Sequence, residues 1–287
     1  GIREIGVTGV QTCALPICHS LRSALANFAR KISTIETEVL VSNGTTYTNL
    51  KAYTACRLIP LDQNPGVRPI GVGEVLRRII GKAILPVIKP EIFSSLGNLN
   101  LCAGQAGGCE AAVHAMSDIF EEEKTDALLQ VDADNAFNSL NPRVLLHNIQ
   151  YLCPSMAIYI RNCYSVPSRV FVLGGTEISS SEGTTQEDPL AMPVYAIGIV
   201  PLLEILKPES SDVTILKHVA FVDDLGGTGD LLELRHWWDN IVNYGPKLGY
   251  NPNASKSWLV VKPETQTKAL NVAVQNRLLA ILISIIS

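Results

Sequence analysis

Residues 214–224 read Thr-Ile-Leu-Lys-His-Val-Ala-Phe-Val-Asp-Asp, an apolar run that ends in two adjacent carboxylates. Its β-branched and aromatic residues predict a strand over residues 214–222, directly before the carboxylates. The glycines that follow, Gly226 and Gly227, are typical turn residues and predict that the chain turns there. This strand therefore presents two carboxylates at its end.

A second apolar run presents another carboxylate. Ala127–Val131 is bounded by charged residues and predicts a short buried strand that ends at Asp132. If the two strands are neighbours in one sheet, Asp132 and Asp223 come together, with Asp224 close by. An Asp-Asp pair alone is more often a surface turn, so the expectation depends on both strands. Carboxylates are the hard ligands that Mg²⁺ prefers, and we therefore expect a divalent metal site here.

Turn residues and hydrophobic periodicity organise the rest of the chain. Residues 55–60 and 67–72 flank an Asn-Pro-Gly turn and predict a β-hairpin that carries Arg68. Periodicity predicts helices over 19–38, 74–88, 109–122 and 231–244, another that starts near Asn141, and a strand over 257–261. The fold class implied is α+β, with a small antiparallel sheet backed by helices.

Composition limits the class of protein. The 287 residues are 47% hydrophobic and 17% charged, which suffices to bury the core of one large domain or two coupled ones. The formal net charge is −4, but residues 51–100 hold seven basic against three acidic residues. Helical spacing lets Arg77, Arg78 and Lys82 share one face. Such a face is either a solvated surface or a contact with nucleic acid.

Cysteine usage and hydropathy bear on location. The seven cysteines show no Cys-x-x-Cys spacing and no His partner at zinc spacing. This predicts reduced thiols in an intracellular protein, cytoplasmic or nuclear. The apolar tail at residues 278–286 is too short to span a bilayer, so we expect no membrane partner.

Residues 7–17 read Val-Thr-Gly-Val-Gln-Thr-Cys-Ala-Leu-Pro-Ile, which resembles the in-frame translation of an adapter used in high-throughput sequencing. We therefore interpret residues 1–18 as not native and expect them to pack poorly. The alternative is a genuine amphipathic leader.

Four short motifs follow one another within residues 50–262. They are Arg-Pro-Ile at 68–70, Val-Asp-Ala-Asp-Asn-Ala-Phe at 131–137, Gly-Thr-Thr-Gln-Glu-Asp-Pro-Leu at 183–190 and Phe-Val-Asp-Asp at 221–224. The ordered set resembles the fingers and palm of retrotransposon-type reverse transcriptases, with Phe in the aromatic place of the Tyr-x-Asp-Asp box. DIRS-like and LINE-like elements both remain open. The resemblance implies mainly fingers in 19–118, palm with part of the fingers in 119–262, and an unassigned tail at 263–287.

The resemblance also implies roles for single residues. Asp132, Asp223 and Asp224 match the carboxylates that hold two Mg²⁺ ions, or Mn²⁺, while a dNTP is transferred to a primer 3′-hydroxyl. Phe137 matches the steric gate, where a ring clashes with a ribose 2′-hydroxyl, so it implies deoxynucleotide selection. Ala133 falls in the same nucleotide-binding stretch.

Three more residues match functional positions of that family. Arg68 corresponds to the fingers residue that grips the triphosphate. Gln186 corresponds to a residue that touches the nucleotide or template, and Lys256 to the Lys thought to protonate pyrophosphate. The implied partners are an RNA template, a DNA primer and dNTPs; the oligomeric state is not predicted.

Two departures from the family keep an alternative open. Glu187 stands where the family has Gly, and its charge beside a polyanionic substrate would weaken nucleotide binding. After Lys262 we recognise no primer grip, thumb, endonuclease, ribonuclease H or integrase region. The alternative is a truncated, catalytically inactive relic that only binds nucleic acid.

Two other classes of protein fit less well. An RNA-dependent RNA polymerase shares the Asp-Asp strategy but has a smaller or polar gate where this chain has Phe137. A phosphoacceptor receiver domain needs an alternating parallel βα pattern, which the sequence lacks.

Overall fold

The computed structural model describes residues 19–36, 47–62, 66–101, 107–172, 174–207, 216–275 and 282–285. Residues 1–18, which resemble the adapter translation, lie outside this part. Within it, two β-sheets and a set of helices form an α+β fold, which confirms the predicted class. No helix in these ranges is long and apolar enough to cross a membrane.

The first sheet is built around the hairpin that carries Arg68. Strand β1 (Cys56–Asp62) pairs antiparallel with β2 (Val67–Gly73) along its whole length, which confirms the predicted hairpin. Two later strands, β4 (Ser168–Phe171) and β5 (Glu177–Ser180), extend the sheet in the order β2-β1-β4-β5. The hairpin is thus joined to a segment about a hundred residues further along the chain.

The second sheet carries the acidic strand ends. Strand β3 (Ala127–Val131) lies between β7 (Asp224–Gly229) and β8 (Trp258–Val261) and is antiparallel to both. Strand β6 (Lys217–Phe221) forms a hairpin with β7, and β9 (Leu282–Ile285) is a parallel edge strand beside β8. The order β6-β7-β3-β8-β9 is the predicted antiparallel sheet except at that edge.

The turn after the acidic motif differs from the prediction. The chain turns at Val222, directly after β6, and Gly226 and Gly227 lie inside β7. A Cβ on Gly227 would come within 3.0 Å of Trp237, and one on Gly226 within 3.3 Å of Met116. These glycines therefore allow helices to approach both faces of the strand, a role of Gly in strands that is distinct from turn formation.

Helices cover both faces of the second sheet. Helix α4 (Gly108–Glu121) lies on the face of Gly226, and α10 (Leu231–Leu248) lies on the face of Gly227. Helix α8 (Ala191–Gly198) is almost completely buried in the core. The other helices are α1 (His19–Thr34), α2 (Tyr47–Thr54), α3 (Val75–Leu96), α5 (Ala136–Ser139), α6 (Pro142–Leu152), α7 (Pro154–Tyr164), α9 (Val200–Leu206) and α11 (Gln266–Gln275).

The basic face expected on α3 is only partly present. Lys82 is exposed and Arg78 is partly buried. Arg77, however, is only 1% exposed, so the prediction that it shares the basic face was wrong. Its charge is compensated inside the protein by Asp188.

Candidate active site

The order of the second sheet brings the acidic motifs together. Val131, the last residue of β3, pairs with Leu225 in β7, so Asp132 emerges at the edge where β7 begins. The sequence predicted that β6 would be the neighbour of β3. Strand β7 lies between them instead, because the chain turns at Val222 and returns along β3. Asp223 therefore lies on the turn at this edge rather than at the end of an adjacent strand.

A cleft of about 590 Å³ contains most of the residues predicted to be functional. Arg68 reaches it from β2 of the first sheet, whereas the others come from the second sheet and the loops around it. The predicted residues that line the cleft are Arg68, Asp132, Ala133, Phe137, Gln186, Asp223 and Lys256. Segments from all four sequence motifs thus meet at one place.

Like charges crowd the cleft. Burial raises the pKa of Asp223, and the neighbouring Asp132 carboxylate raises it further. A backbone hydrogen bond and the positive charge of Arg68 lower the same pKa and offset part of the increase. Ionised Asp132 and Asp223 repel each other in a partly desolvated site, so a cation between them would be favourable.

Asp224 occupies a different position. It lines a mainly apolar cavity of about 280 Å³ beside Met116 and Phe221, and it is not among the residues that line the cleft. Loss of solvent raises the pKa of Asp224, and the carboxylates of Asp223 and Asp132 add to the increase. Its role as a metal ligand stays a prediction.

Backbone hydrogen bonds hold the motif at 183–190 against the end of the motif at 131–137 and the segment that follows it. Gly183 donates its N–H to the carbonyl of Leu140 at 2.8 Å, and Thr184 donates to that of Phe137 at 2.5 Å. Gly183 has a φ of 76°, and a Cβ there would lie 2.4 Å from the facing backbone, so only glycine fits. The contact brings Gln186 to the cleft beside Phe137.

Aromatic packing and an unpaired amide complete this wall. The ring centroids of Phe137 and Tyr195 are 4.9 Å apart, so neighbouring atoms hold the Phe137 ring in place. Burial and the charge of Asp223 raise the pKa of Tyr195, which keeps its hydroxyl neutral. Within the described residues, that hydroxyl and Oε1 of Gln186 are buried without a hydrogen-bond partner. Gln186 Oε1 is therefore an acceptor available to a bound ligand.

Lys256 lies on the loop before β8. Its Nζ is 3.8 Å from Oδ1 of Asp134, and its side chain is exposed. In the same loop, Asn253 donates to Asp134 at 2.5 Å and Ser257 Oγ accepts the N–H of Asp132 at 3.2 Å. These bonds tie the loop of Lys256 to the strand end that carries Asp132.

Sequence reasoning missed a buried ion pair that involves Asp188 of the motif at 183–190. Nε of Arg77 donates to Oδ2 of Asp188 at 2.8 Å, and the two side chains are 1% and 3% exposed. Oδ1 of Asp188 accepts the N–H of Leu190 at 2.9 Å. The pair ties α3, which follows the Arg68 hairpin, to the loop that carries Gln186. Its partners are 111 residues apart, so no local pattern signals it.

Glu187 lies next to these residues but outside the cleft. Its side chain is exposed, and it does not line the cavity that its neighbour Gln186 lines. The expectation that its charge crowds a bound nucleotide therefore has no support from its position.

The donor set fits a hard divalent cation whose shell is completed from outside the protein. Among the residues that the structure describes, no three His, Cys, Asp or Glu side chains cluster closely enough to hold a metal by themselves. The carboxylates of Asp132 and Asp223 in one cleft still match how proteins hold Mg²⁺, since water and substrate phosphates usually supply its remaining ligands.

Comparison with solved structures identifies the fold. Telomerase from Candida albicans, in complex with a TWJ fragment of telomeric RNA, matches with a TM-score of 0.54 at 12% identity, over 77% of this chain and 45% of that one. Apo telomerase from Candida tropicalis matches with a TM-score of 0.55 at 12% identity, over 73% of this chain and 45% of that one. The chain thus spans less than half of these two structures. No protein-family model and no curated protein matches it.

Identities this low establish the fold alone. Both of these structures are telomerases, and the sheet that carries Arg68 and the sheet that carries Asp132 meet at one cleft in this chain. The chain therefore has a reverse-transcriptase-like polymerase fold, with a fingers-like and a palm-like part on either side of a carboxylate-lined cleft.

Proposed function

We propose that the chain is the fingers and palm of an RNA-directed DNA polymerase from a retroelement, which adds dNTPs to the 3′-hydroxyl of a primer. The observation that carries the proposal is the meeting of four separate motifs at one cleft, represented there by Arg68, Asp132, Gln186 and Asp223. The order of these motifs along the chain supports the retroelement origin.

Asp132 and Asp223 would hold Mg²⁺, or Mn²⁺, in this cleft. The chemistry supplied by bound cations would be activation of the primer hydroxyl and neutralisation of negative charge on the triphosphate. The raised pKa of Asp223, caused by burial and then by the Asp132 carboxylate, supports this role because a cation would relieve both effects. Asp224 adds negative potential close to the same turn.

Arg68 and Lys256 would manage the phosphates. Arg68 is exposed on the hairpin, and its planar guanidinium suits the oxygens of a triphosphate. Lys256, 3.8 Å from Asp134 at the rim of the cleft, can donate a proton to the leaving pyrophosphate. The two positive charges come from different parts of the fold and converge on one cavity.

Phe137 would select the sugar. Its ring lines the cleft and packs against Tyr195, so it cannot easily turn aside for a ribose 2′-hydroxyl. Gln186, with an unpaired Oε1, would accept a hydrogen bond from the nucleotide or template. Phe137 therefore favours a dNTP as the substrate.

An RNA template and a DNA primer are the proposed partners. The Candida albicans telomerase that resembles this chain was solved with a fragment of telomeric RNA, which supports a nucleic-acid partner. The exposed side chains of Arg57, Lys82 and Lys89 would contact phosphates.

Primer extension tests the proposal. The chain should extend a DNA primer on an RNA template with dNTPs and Mg²⁺, and Asp223→Asn should abolish extension. Asp118→Asn, which removes an exposed carboxylate outside the cleft, should leave it unchanged. Phe137→Ala should increase the incorporation of ribonucleotides relative to deoxynucleotides.

Two outcomes would count against the proposal. A folded chain that binds the primer and template but never extends would favour the inactive relic. A folded chain that shows neither extension nor Mg²⁺-dependent binding of dNTP would remove nucleotidyl transfer altogether.

A further inference from the structure

The turn that carries Asp223 holds a strained backbone. Val222 has a φ of 58°, in the left-handed region. That conformation is an outlier for a β-branched residue, because its Cβ substituents crowd the backbone. Val222 is also buried, at 6% exposed. Something in the surrounding structure must therefore hold this residue in place.

The amide of Asn100 makes two hydrogen bonds to the backbone of Val222. Its Nδ2 donates to the carbonyl of Val222 at 3.0 Å, and its Oδ1 accepts the N–H of Val222 at 3.0 Å. Asn100 is 1% exposed, so neither bond competes with water. Only a side-chain amide offers a donor and an acceptor in this arrangement, which neither Asp nor Leu can reproduce.

Further hydrogen bonds hold the backbone before and after Val222. Leu101 donates its N–H to the carbonyl of Ala220 at 2.9 Å, so the Asn100 segment follows the end of β6. The hydroxyl of Tyr250 donates to the carbonyl of Asp223 at 3.0 Å. The backbone on both sides of Val222 is thus held by groups from other parts of the chain.

We propose that Asn100 is a positioning residue, which holds Val222 in the left-handed conformation so that Asp223 faces the cleft. With Val222 in this conformation, Asp223 lines the cleft while the next residue, Asp224, begins β7 and lines another cavity. If Val222 returned to an extended conformation, the direction of the Asp223 side chain would change. This inference rests on the proposed function of Asp223 as a metal ligand.

The test compares Asn100→Ala and Asn100→Asp with Asn162→Ala. Asn162 is a matched control, because it is 2% exposed and its Nδ2 donates to the carbonyls of Ile32 and Ile35, both at 2.8 Å. All three variants lose buried amide bonds, so all should lose stability. The Asn100 variants should weaken Mg²⁺ binding by about tenfold, because the buried hydrogen-bond pair that holds Val222 is broken. The Mg²⁺-dependent shift in unfolding temperature measures this change. They should lower kcat of primer extension more than they change KM for dNTP, and Asn162→Ala should alter neither.

Glycine at position 222 provides the decisive comparison. Glycine adopts a positive φ without strain, so Val222→Gly should restore the Mg²⁺ shift in the Asn100→Ala background, even if it restores no stability. If Asn100→Ala keeps the full Mg²⁺ shift, or if Val222→Gly does not rescue it in a folded double variant, the inference fails. If no variant extends primers but the Mg²⁺ shifts follow the expected pattern, the proposed polymerase activity fails and the positioning role stands.

Discussion

Asp188 and Asp223 are carboxylates that both lose water on folding, yet the chain surrounds them in opposite ways. Asp188 accepts hydrogen bonds from Nε of Arg77 at 2.8 Å and from the N–H of Leu190 at 2.9 Å. Asp223 faces the carboxylate of Asp132 instead, and burial together with that charge raises its pKa. Arg68 offsets only part of this increase. The protein compensates the charge of Asp188 internally and leaves that of Asp223 only partly compensated.

The difference distinguishes a structural carboxylate from one that we propose binds a metal. A buried carboxylate that is paired with a cation of the protein joins two elements, here α3 and the motif at 183–190. Carboxylates that crowd one another without such a cation retain affinity for one from outside, which is why perturbed groups cluster at functional sites. Asp188 and Asp223 both belong to motifs visible in the sequence, so only their surroundings distinguish them.

Arg77→Ala, which breaks the buried pair with Asp188, should cause the largest loss of stability. Removing one partner leaves Asp188 buried with an uncompensated charge, which costs about 3–5 kcal/mol of unfolding free energy. Urea unfolding followed by circular dichroism measures the loss. The matched control is Arg169→Ala, because its pair with Glu177 is 43% exposed on both sides. Solvent screens that exposed pair, so its loss should change stability little, and equal losses would contradict the distinction.

Asp223→Asn should have a smaller effect on stability, and of opposite sign. Because folding raises the pKa of Asp223, its ionised form destabilises the metal-free protein at pH 7. The uncharged Asn variant should therefore unfold at a higher temperature in the presence of a chelator. The difference should fade as the pH falls through the raised pKa towards the ordinary value of 3.8, because both side chains are then neutral. Scanning calorimetry across this range measures it.

With Mg²⁺ added, the unsubstituted chain should unfold at a higher temperature than Asp223→Asn. A ligand that binds the folded state raises its stability, so Mg²⁺ should raise the unfolding temperature of the unsubstituted chain and not that of Asp223→Asn. An equal response of the two proteins would show that Asp223 does not contact the metal.

Local sequence patterns predicted most of the elements that build these two regions. The boundaries of Ala127–Val131 follow from an apolar run between charged residues, and the hairpin around Arg68 follows from turn residues. Long-range partners leave no such trace. Helical spacing places Arg77 on α3, but it does not show that Asp188 lies opposite. Nor does any pattern show that Asn100 meets Val222, 122 residues away.

The role of the glycines in β7 and the order of the strands also depend on long-range contacts, which local sequence patterns do not show. Close packing and a positive φ both require glycine, so the sequence alone does not show which of them applies to Gly226 and Gly227. The close approach of Met116 and Trp237 shows that packing is the reason. A turn predicted at the wrong position placed β6 next to β3 in the predicted sheet. The motifs still converge because the hairpin returns its acidic end to the edge of Asp132.

Buried tyrosine hydroxyls near the two carboxylates allow a further comparison, with a smaller expected effect. Near Arg77, the hydroxyls of Tyr53 and Tyr159 are hydrogen-bonded at 2.9 Å. Near Asp223, the hydroxyl of Tyr195 has no partner among the described residues. Tyr53→Phe should therefore cost about 1 kcal/mol, whereas Tyr195→Phe loses no hydrogen bond and should be neutral or slightly stabilising. Urea unfolding of both variants checks the difference, and a clear loss in Tyr195→Phe would reveal a hydrogen-bond partner.

Glu187→Gln should have the smallest effect, although the sequence alone suggested that the charge of Glu187 weakens nucleotide binding. Its side chain is exposed and does not line the cleft, so we expect solvent to screen its charge. Exposed charges are largely screened beyond about 8 Å at 0.15 M ionic strength, so the affinity for a dNTP, measured by thermal shift in Mg²⁺, should change less than about twofold. Stability should stay within about 0.5 kcal/mol. At about 0.01 M salt the screening length grows to about 30 Å, and the variant should then bind the dNTP modestly more tightly. A gain of about tenfold at physiological salt, equivalent to about 1.4 kcal/mol, would instead place the Glu187 carboxylate against the nucleotide, as the sequence suggested.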